Sequence, residues 1–144
     1  MRFSRLVVPL LCMWLFGNLY EQVVWNPQLL ADPRPGSLVG VFAAGSPVYY
    51  YLPWGPLGVA LAFATRAPRP ALACLVISVA LKVVLITQVN PVFRDPAVTR
   101  EVVHHNAVLW AFGNAVVVVA MAAAILLIQR DRLRPPPQAL AHSG

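Results

Sequence analysis

Residues 104–128 of this chain read HHNAVLWAFGNAVVVVAMAAAILLI. The stretch contains no Asp, Glu, Lys or Arg, and it is longer than the roughly 20 mostly apolar residues with which an α-helix crosses a bilayer. It therefore predicts a transmembrane helix, and the rest of the fold depends on how many stretches of this kind the chain contains.

Three further apolar stretches lie upstream, at about residues 6–25, 49–65 and 70–89. The whole chain of 144 residues is 59% hydrophobic and only 11% charged, with a mean hydropathy of +0.68, whereas a soluble domain carries roughly 25% charged residues. We therefore expect an all-α fold: a four-helix transmembrane bundle over residues 1–129, followed by a disordered cytoplasmic tail over residues 130–144.

Two Asn-Pro pairs are expected to end the first and third helices. Proline has no amide hydrogen, and it disfavours helical geometry in the residue before it, so Asn26-Pro27 and Asn90-Pro91 predict turns. The segment 38–47 is too short to span a bilayer and is interpreted as a surface or re-entrant segment. The tyrosines at 49–51 are expected at the outer membrane interface, where amphipathic rings are favoured.

The basic residues are distributed unevenly between the two predicted membrane sides. Arg34, Arg94 and Arg100 lie on one side and Lys82 lies within the third helix, whereas seven arginines lie on the other side: Arg2, Arg5, Arg66, Arg69, Arg130, Arg132 and Arg134. The positive-inside rule places both chain ends in the cytoplasm. The Arg-rich, Lys-poor composition favours the cytoplasmic membrane of a bacterium. Because the basic residues form short clusters between apolar runs, no nucleic-acid partner is expected.

Glu21 and Lys82 are ionisable residues inside predicted spans, where each costs about 2.5–3.5 kcal/mol on insertion scales. Counted at 1.5 Å per residue from the cytoplasmic helix ends, Glu21 lies roughly 22 Å and Lys82 roughly 18 Å into the membrane. The two side chains could therefore meet in the outer half of the bundle. An ion pair would satisfy both, and a catalytic or substrate-anchoring role is the alternative.

Polar and aromatic residues recur at helical spacing on two helices, which places each set on one helix face. The sets are Trp14, Asn18, Glu21 and Trp25 on the first helix, and Asn106, Trp110 and Asn114 on the fourth. We predict that the tryptophans and asparagines line a substrate-binding pocket. The alternative is that the asparagines serve as hydrogen bonds between helices.

The fourth helix opens with Glu101 and His104, three residues apart, followed by His105. Di-iron bundles use this spacing on two helices, but this chain has one copy, so no metal site is predicted. An interfacial polar cap is the favoured interpretation of the histidines. His104 and His105 remain candidate catalytic bases beside Glu21 and Lys82, and the residues indicate no particular cofactor.

The layout resembles the anthrone-oxygenase-like family of small four-helix integral membrane proteins. The resemblance rests on Asn26-Pro27 after the first helix, on Asn90-Pro91 after the third, and on the Trp-x-x-x-Asn element formed by Trp110 and Asn114. It implies oxidation of a polycyclic, polyketide-like aromatic substrate in an embedded pocket, without a particular cofactor. It also implies that Trp110 and Asn114 line that pocket.

Two functions are therefore considered. The first is a membrane-embedded enzyme, an oxygenase or isomerase, that acts on a lipophilic small molecule in the outer half of the bundle. Glu21 or a histidine would be its base, and Lys82 would stabilise a developing oxyanion. The second is a non-catalytic accessory or assembly subunit of a membrane complex. The expected partners are the lipid bilayer and a lipophilic substrate, and the small size leaves a homo-oligomer open.

Overall fold

The computed structural model of the chain describes residues 4–38 and 48–133, and all regular structure in these ranges is helical. The helices are α1 (Ser4–Ala31), α2 (Val48–Tyr51), α3 (Trp54–Ala64), α4 (Arg69–Arg94) and α5 (Arg100–Leu133). α1, α4 and α5 are long and apolar enough to cross a membrane. The prediction of an all-α bundle with membrane-spanning helices is confirmed.

The two Asn-Pro pairs do not end their helices, contrary to the prediction. A π-helical turn precedes each pair, Glu21–Trp25 in α1 and Leu85–Val89 in α4, and the asparagine N–H then donates to the carbonyl five residues back. Each proline therefore falls in the first turn of a new α-helical segment, where no amide donor is required. The helices continue to Ala31 and Arg94.

The second predicted span, residues 49–65, is divided in the structure. α2 ends at Tyr51, a turn occupies residues 52 and 53, and α3 has 11 residues. At 1.5 Å per residue α3 is only about 16 Å long, roughly half the hydrocarbon thickness of a bilayer. The segment 39–47, which includes most of the predicted re-entrant region, lies outside the described residues.

α5 is longer than the predicted span of 104–128 at both ends. It begins at Arg100 and continues to Leu133, so the first residues of the predicted tail are helical. Residues 134–144 lie outside the described part of the chain. At this end of the bundle the Arg132 guanidinium donates to the Ser4 carbonyl, which sets the start of α1 beside the end of α5.

The helices pack as two antiparallel hairpins, α1 with α3 and α4 with α5. Because α1 also runs antiparallel to α5, α1 and α4 are parallel. Six of the eight buried positions of α1 recur in α4 at a constant spacing of 64 residues. The equivalent pairs are Val7 and Ala71, Leu11 and Leu75, Trp14 and Ser78, Asn18 and Lys82, Asn26 and Asn90, and Leu29 and Phe93.

The second helices of the two hairpins show the same correspondence at a spacing of 59 residues. Here the equivalent buried pairs are Tyr51 and Trp110, Gly55 and Asn114, Gly58 and Val117, and Ala62 and Met121. The bundle is thus built from two hairpins whose buried residues occupy equivalent positions. In each hairpin the first helix carries a π-helical turn and a buried asparagine before proline.

Candidate functional site

Glu21 and Lys82 form an ion pair inside the bundle. Glu21 is the first residue of the π-helical turn of α1, and Lys82 lies three residues before the corresponding turn of α4. Their side chains are 15% and 9% exposed, respectively. The structure therefore brings together the two ionisable residues that the sequence placed at similar depth, and the pair carries no net charge.

Hydrogen bonds extend the ion pair to two further helices. Tyr51 Oη donates to Glu21 Oε1 at 2.7 Å, while Lys82 Nζ donates to Glu21 Oε2 and, at 3.1 Å, to Asn114 Oδ1. Asn114 Nδ2 in turn donates to the Asn18 carbonyl at 2.9 Å and to Gln22 Oε1 at 3.1 Å. Both carboxylate oxygens and the ammonium thus have partners, and α1, α2, α4 and α5 are joined at one level.

The approach of Tyr51 to Glu21 depends on a glycine. Gly17 lies one helical turn before Glu21, directly beneath the Tyr51 ring, and a Cβ atom at this position would overlap the ring carbons. Gly55 has the same relation to the indole of Trp14, where a Cβ would lie 2.6 Å from Cδ2. Small residues therefore allow the aromatic side chains to lie between α1 and the α2–α3 segment.

An aromatic cluster lies on the Asn-Pro side of the ion pair, the predicted outer side. Trp25, Phe93 and Trp110 contact one another edge to face, with ring centroids 5.8, 5.9 and 6.5 Å apart. Lys82 Nζ lies 4.7 Å from the Trp110 ring centroid, a cation–π distance. The Lys82 ammonium is thus covered on this side by the Trp110 ring, which belongs to one core cluster with the buried leucines Leu29 and Leu38.

Within the described residues, four buried side-chain polar atoms have no hydrogen-bond partner. They are Asn18 Oδ1, Asn26 Oδ1, Asn90 Oδ1 and Trp110 Nε1. An unsatisfied buried donor or acceptor costs about 1–3 kcal/mol. The last three belong to residues at the end of the bundle that contains the aromatic cluster.

The predicted pocket residues on α1 all turn inward, but those on α5 separate into two groups. Trp110 and Asn114 are buried, whereas Asn106 is half-buried and its amide donates to the Val102 carbonyl of its own helix. His104 and His105 are exposed. The buried positions of this part of α5 are 103, 107, 110 and 114, so both histidines fall on the outward face and do not join the ion-pair network.

The described part of the chain has no group of three His, Cys, Asp or Glu side chains placed to hold a metal ion. The Glu101, His104 and His105 set is exposed along one helix rather than gathered around a point.

Several members of the site were not predicted as such. Tyr51 was assigned to the membrane interface, and Asn26 and Asn90 were assigned to turns. Gln22 was not singled out, because in a regular α-helix it would lie about 100° around the axis from Glu21. The signals that could have found the asparagines were their identical Asn-Pro context and equal position in two parallel helices.

Comparison with known proteins gives no match: no family model, curated protein or solved structure matches this chain. The resemblance to the anthrone-oxygenase-like proteins therefore stays a prediction. The chemistry of the site has to be inferred from its own geometry.

Proposed function

We propose that this chain is a membrane-embedded enzyme, an oxygenase or isomerase, that acts on a lipophilic small molecule in the outer half of its bundle. One observation carries the proposal. The buried Glu21–Lys82 pair lies beside an aromatic cluster and near buried polar atoms that have no partner in the described residues. An ionisable residue inside a membrane is by default a candidate functional residue. Buried polar atoms are nearly always hydrogen-bonded, so the unpaired atoms support a partner other than the described residues.

The proposed chemistry begins with proton abstraction. The Glu21 carboxylate removes a proton from a carbon next to a substrate carbonyl, and the negative charge moves to the carbonyl oxygen. The Lys82 ammonium and the Tyr51 hydroxyl, both already donors at this point, stabilise that oxygen. An isomerase returns the proton to a second carbon, whereas an oxygenase also requires dioxygen as a co-substrate.

Lys82 has a second contact that suits this role. Asn114 Oδ1 accepts from Nζ and the Trp110 ring lies against it, so the ammonium stays positioned when Glu21 changes protonation state. Glu21 is thus held by Tyr51, and Lys82 is held by Asn114 and the Trp110 ring. This arrangement favours Glu21 as the group that moves a proton and Lys82 as a fixed charge.

The experiment is a comparison of co-purified small molecules. The full chain and a Glu21→Gln/Lys82→Met double variant, which keeps the shape of the pair without its charges, are purified in the same mild detergent. Their organic extracts are then compared by mass spectrometry. We expect a carbonyl compound enriched in the wild-type extract, and turnover of that compound by the wild type alone. Identical extracts would overturn the proposal.

A second function is favoured by one specific observation. Every charged atom of the ion pair finds a partner within the chain, and the network joins four helices. Such a network suits an accessory or assembly subunit of a membrane complex, in which the polar groups fix the bundle for docking. In that case a protein that co-purifies with the wild type is lost from the double variant, and neither form turns over the extracted compounds.

The proposed location is the cytoplasmic membrane of a bacterium, with both chain ends in the cytoplasm. The support is the excess of arginine at the end of the bundle that contains Ser4 and Leu133. The polar site then lies in the extracytoplasmic half. Reporter fusions at both termini test the orientation, and an external reporter signal at either terminus would contradict it.

A further inference from the structure

A second polar centre lies at the Asn-Pro end of the bundle, next to the ion pair. It consists of Asn26, Asn90 and Trp110, which we call the outer polar site. These residues are 1%, 9% and 3% exposed, and Asn26 Oδ1, Asn90 Oδ1 and Trp110 Nε1 have no hydrogen-bond partner within residues 4–38 and 48–133. Buried polar groups are nearly always hydrogen-bonded in native proteins. Three orphan atoms at one end of a bundle therefore point to a missing partner.

All three residues adjoin the aromatic cluster: Asn26 follows Trp25, Asn90 lies one turn before Phe93, and Trp110 is the third ring. Asn26 and Asn90 are equivalent residues of α1 and α4, each placed inward by a π-helical turn before proline. Trp110 is the equivalent of Tyr51 in the second hairpin. The Tyr51 hydroxyl donates to Glu21, whereas the Trp110 N–H has no acceptor among the described residues. The second aromatic donor is thus free for a different acceptor.

The chemistry of the three atoms restricts what can bind. Two asparagine oxygens accept hydrogen bonds and one indole N–H donates. An anion would be repelled by the two asparagine oxygens. A cation would be repelled by the Lys82 ammonium, which already lies against the Trp110 ring. A neutral hydroxyl group can both donate to an oxygen and accept from the indole N–H, so it matches the set.

We infer that the outer polar site binds the hydroxyl group of a neutral, lipophilic alcohol. The hydrocarbon part of this ligand contacts the aromatic cluster, whose rings Trp25 and Phe93 adjoin Trp110. The inference rests on the proposed function in one respect, namely that a lipophilic small molecule enters the bundle. It does not depend on the reaction at Glu21 and Lys82.

The test uses two isomeric probes, 1-octanol and 1-methoxyheptane. Both accept hydrogen bonds and have the same molecular formula, but only the alcohol donates. The full chain, labelled with ¹⁵N at the indoles, is placed in lipid nanodiscs and titrated with each probe at matched concentrations in the bilayer. The chain has four tryptophans, and a Trp110→Phe variant assigns the Trp110 indole signal.

We expect the alcohol to shift the Trp110 indole signal with a half-saturation about tenfold lower than that of the ether. In an Asn26→Leu/Asn90→Leu variant, which keeps side-chain size without the acceptors, this difference should disappear. An Asn106→Leu variant is the matched control, because Asn106 is half-buried on α5 and bonds only to its own helix in the described contacts. It should keep the tenfold difference.

Three results would overturn the inference: equal binding of alcohol and ether, an alcohol preference that survives in the Asn26/Asn90 variant, or no shift of the Trp110 signal with either probe. The last would leave a resident water as the partner of the site. The Glu21→Gln/Lys82→Met variant separates the two proposals. An alcohol preference retained there supports the outer polar site even if no turnover is found.

Discussion

The hydroxyl of Tyr51 donates a 2.7 Å hydrogen bond to Glu21 Oε1, so the short α2 helix contacts the π-helical turn of α1. The sequence placed these residues 30 positions apart and in different roles, an interfacial aromatic and a membrane-embedded acid. In the structure they belong to one network with Lys82 and Asn114.

Replacing one member of the ion pair should be more damaging than replacing both. Lys82→Met leaves the buried Glu21 carboxylate uncompensated and should lower the free energy of unfolding by about 3 kcal/mol. The Glu21→Gln/Lys82→Met double variant should lose much less, because no charge remains. SDS titration in mixed micelles measures the unfolding free energies of the wild type, Glu21→Gln, Lys82→Met and the double variant. A loss in the double variant equal to the sum of the two single losses would contradict the prediction.

Tyr51→Phe should weaken the bundle without changing its packing, because only the hydroxyl that Glu21 accepts is removed. Interhelical hydrogen bonds in membranes contribute about 0.6 kcal/mol on average, and a charged acceptor should raise the loss to about 1 kcal/mol. The same unfolding titration measures it. Tyr20→Phe, at an exposed tyrosine of α1, is the control and should be neutral within about 0.5 kcal/mol.

Gly17→Ala should destabilise the bundle by about 1–3 kcal/mol, because the new methyl group would overlap the Tyr51 ring. The cause can be isolated in a Tyr51→Ala background, where the ring is absent. Gly17→Ala should there be harmless. A loss of equal size in both backgrounds would mean that the glycine acts through α1 itself rather than through the contact with Tyr51.

His104→Ala and His105→Ala should leave both unfolding free energy and ligand content unchanged, because both side chains are exposed on the outward face of α5. Changes within about 0.5 kcal/mol are expected for such surface positions. The measurement pairs the unfolding titration with mass spectrometry of the organic extract. Loss of a co-purified compound from either variant would show that the replaced histidine contributes to ligand binding.

The fold could be predicted to a large extent, and the site only in part. The inward stripe of Trp14, Asn18 and Glu21 followed from helical spacing and is buried or half-buried as expected. The same reasoning failed for Asn106. Helical spacing puts Asn106 on the same face as Trp110 and Asn114, but it does not show how far the neighbouring helices extend along that face. It also failed past Glu21, since a π-helical turn changes the register that the spacing assumes.

The sequence by itself determined that the chain is helical and that its helices are apolar enough for a membrane, because length and hydropathy are local properties of each stretch. It also determined that Glu21 and Lys82 would need partners. The tertiary structure alone decided which partners they have and that Asn26 and Asn90 face inward. Both depend on two π-helical turns and on the common register of two hairpins, which arise from packing between helices distant in the chain.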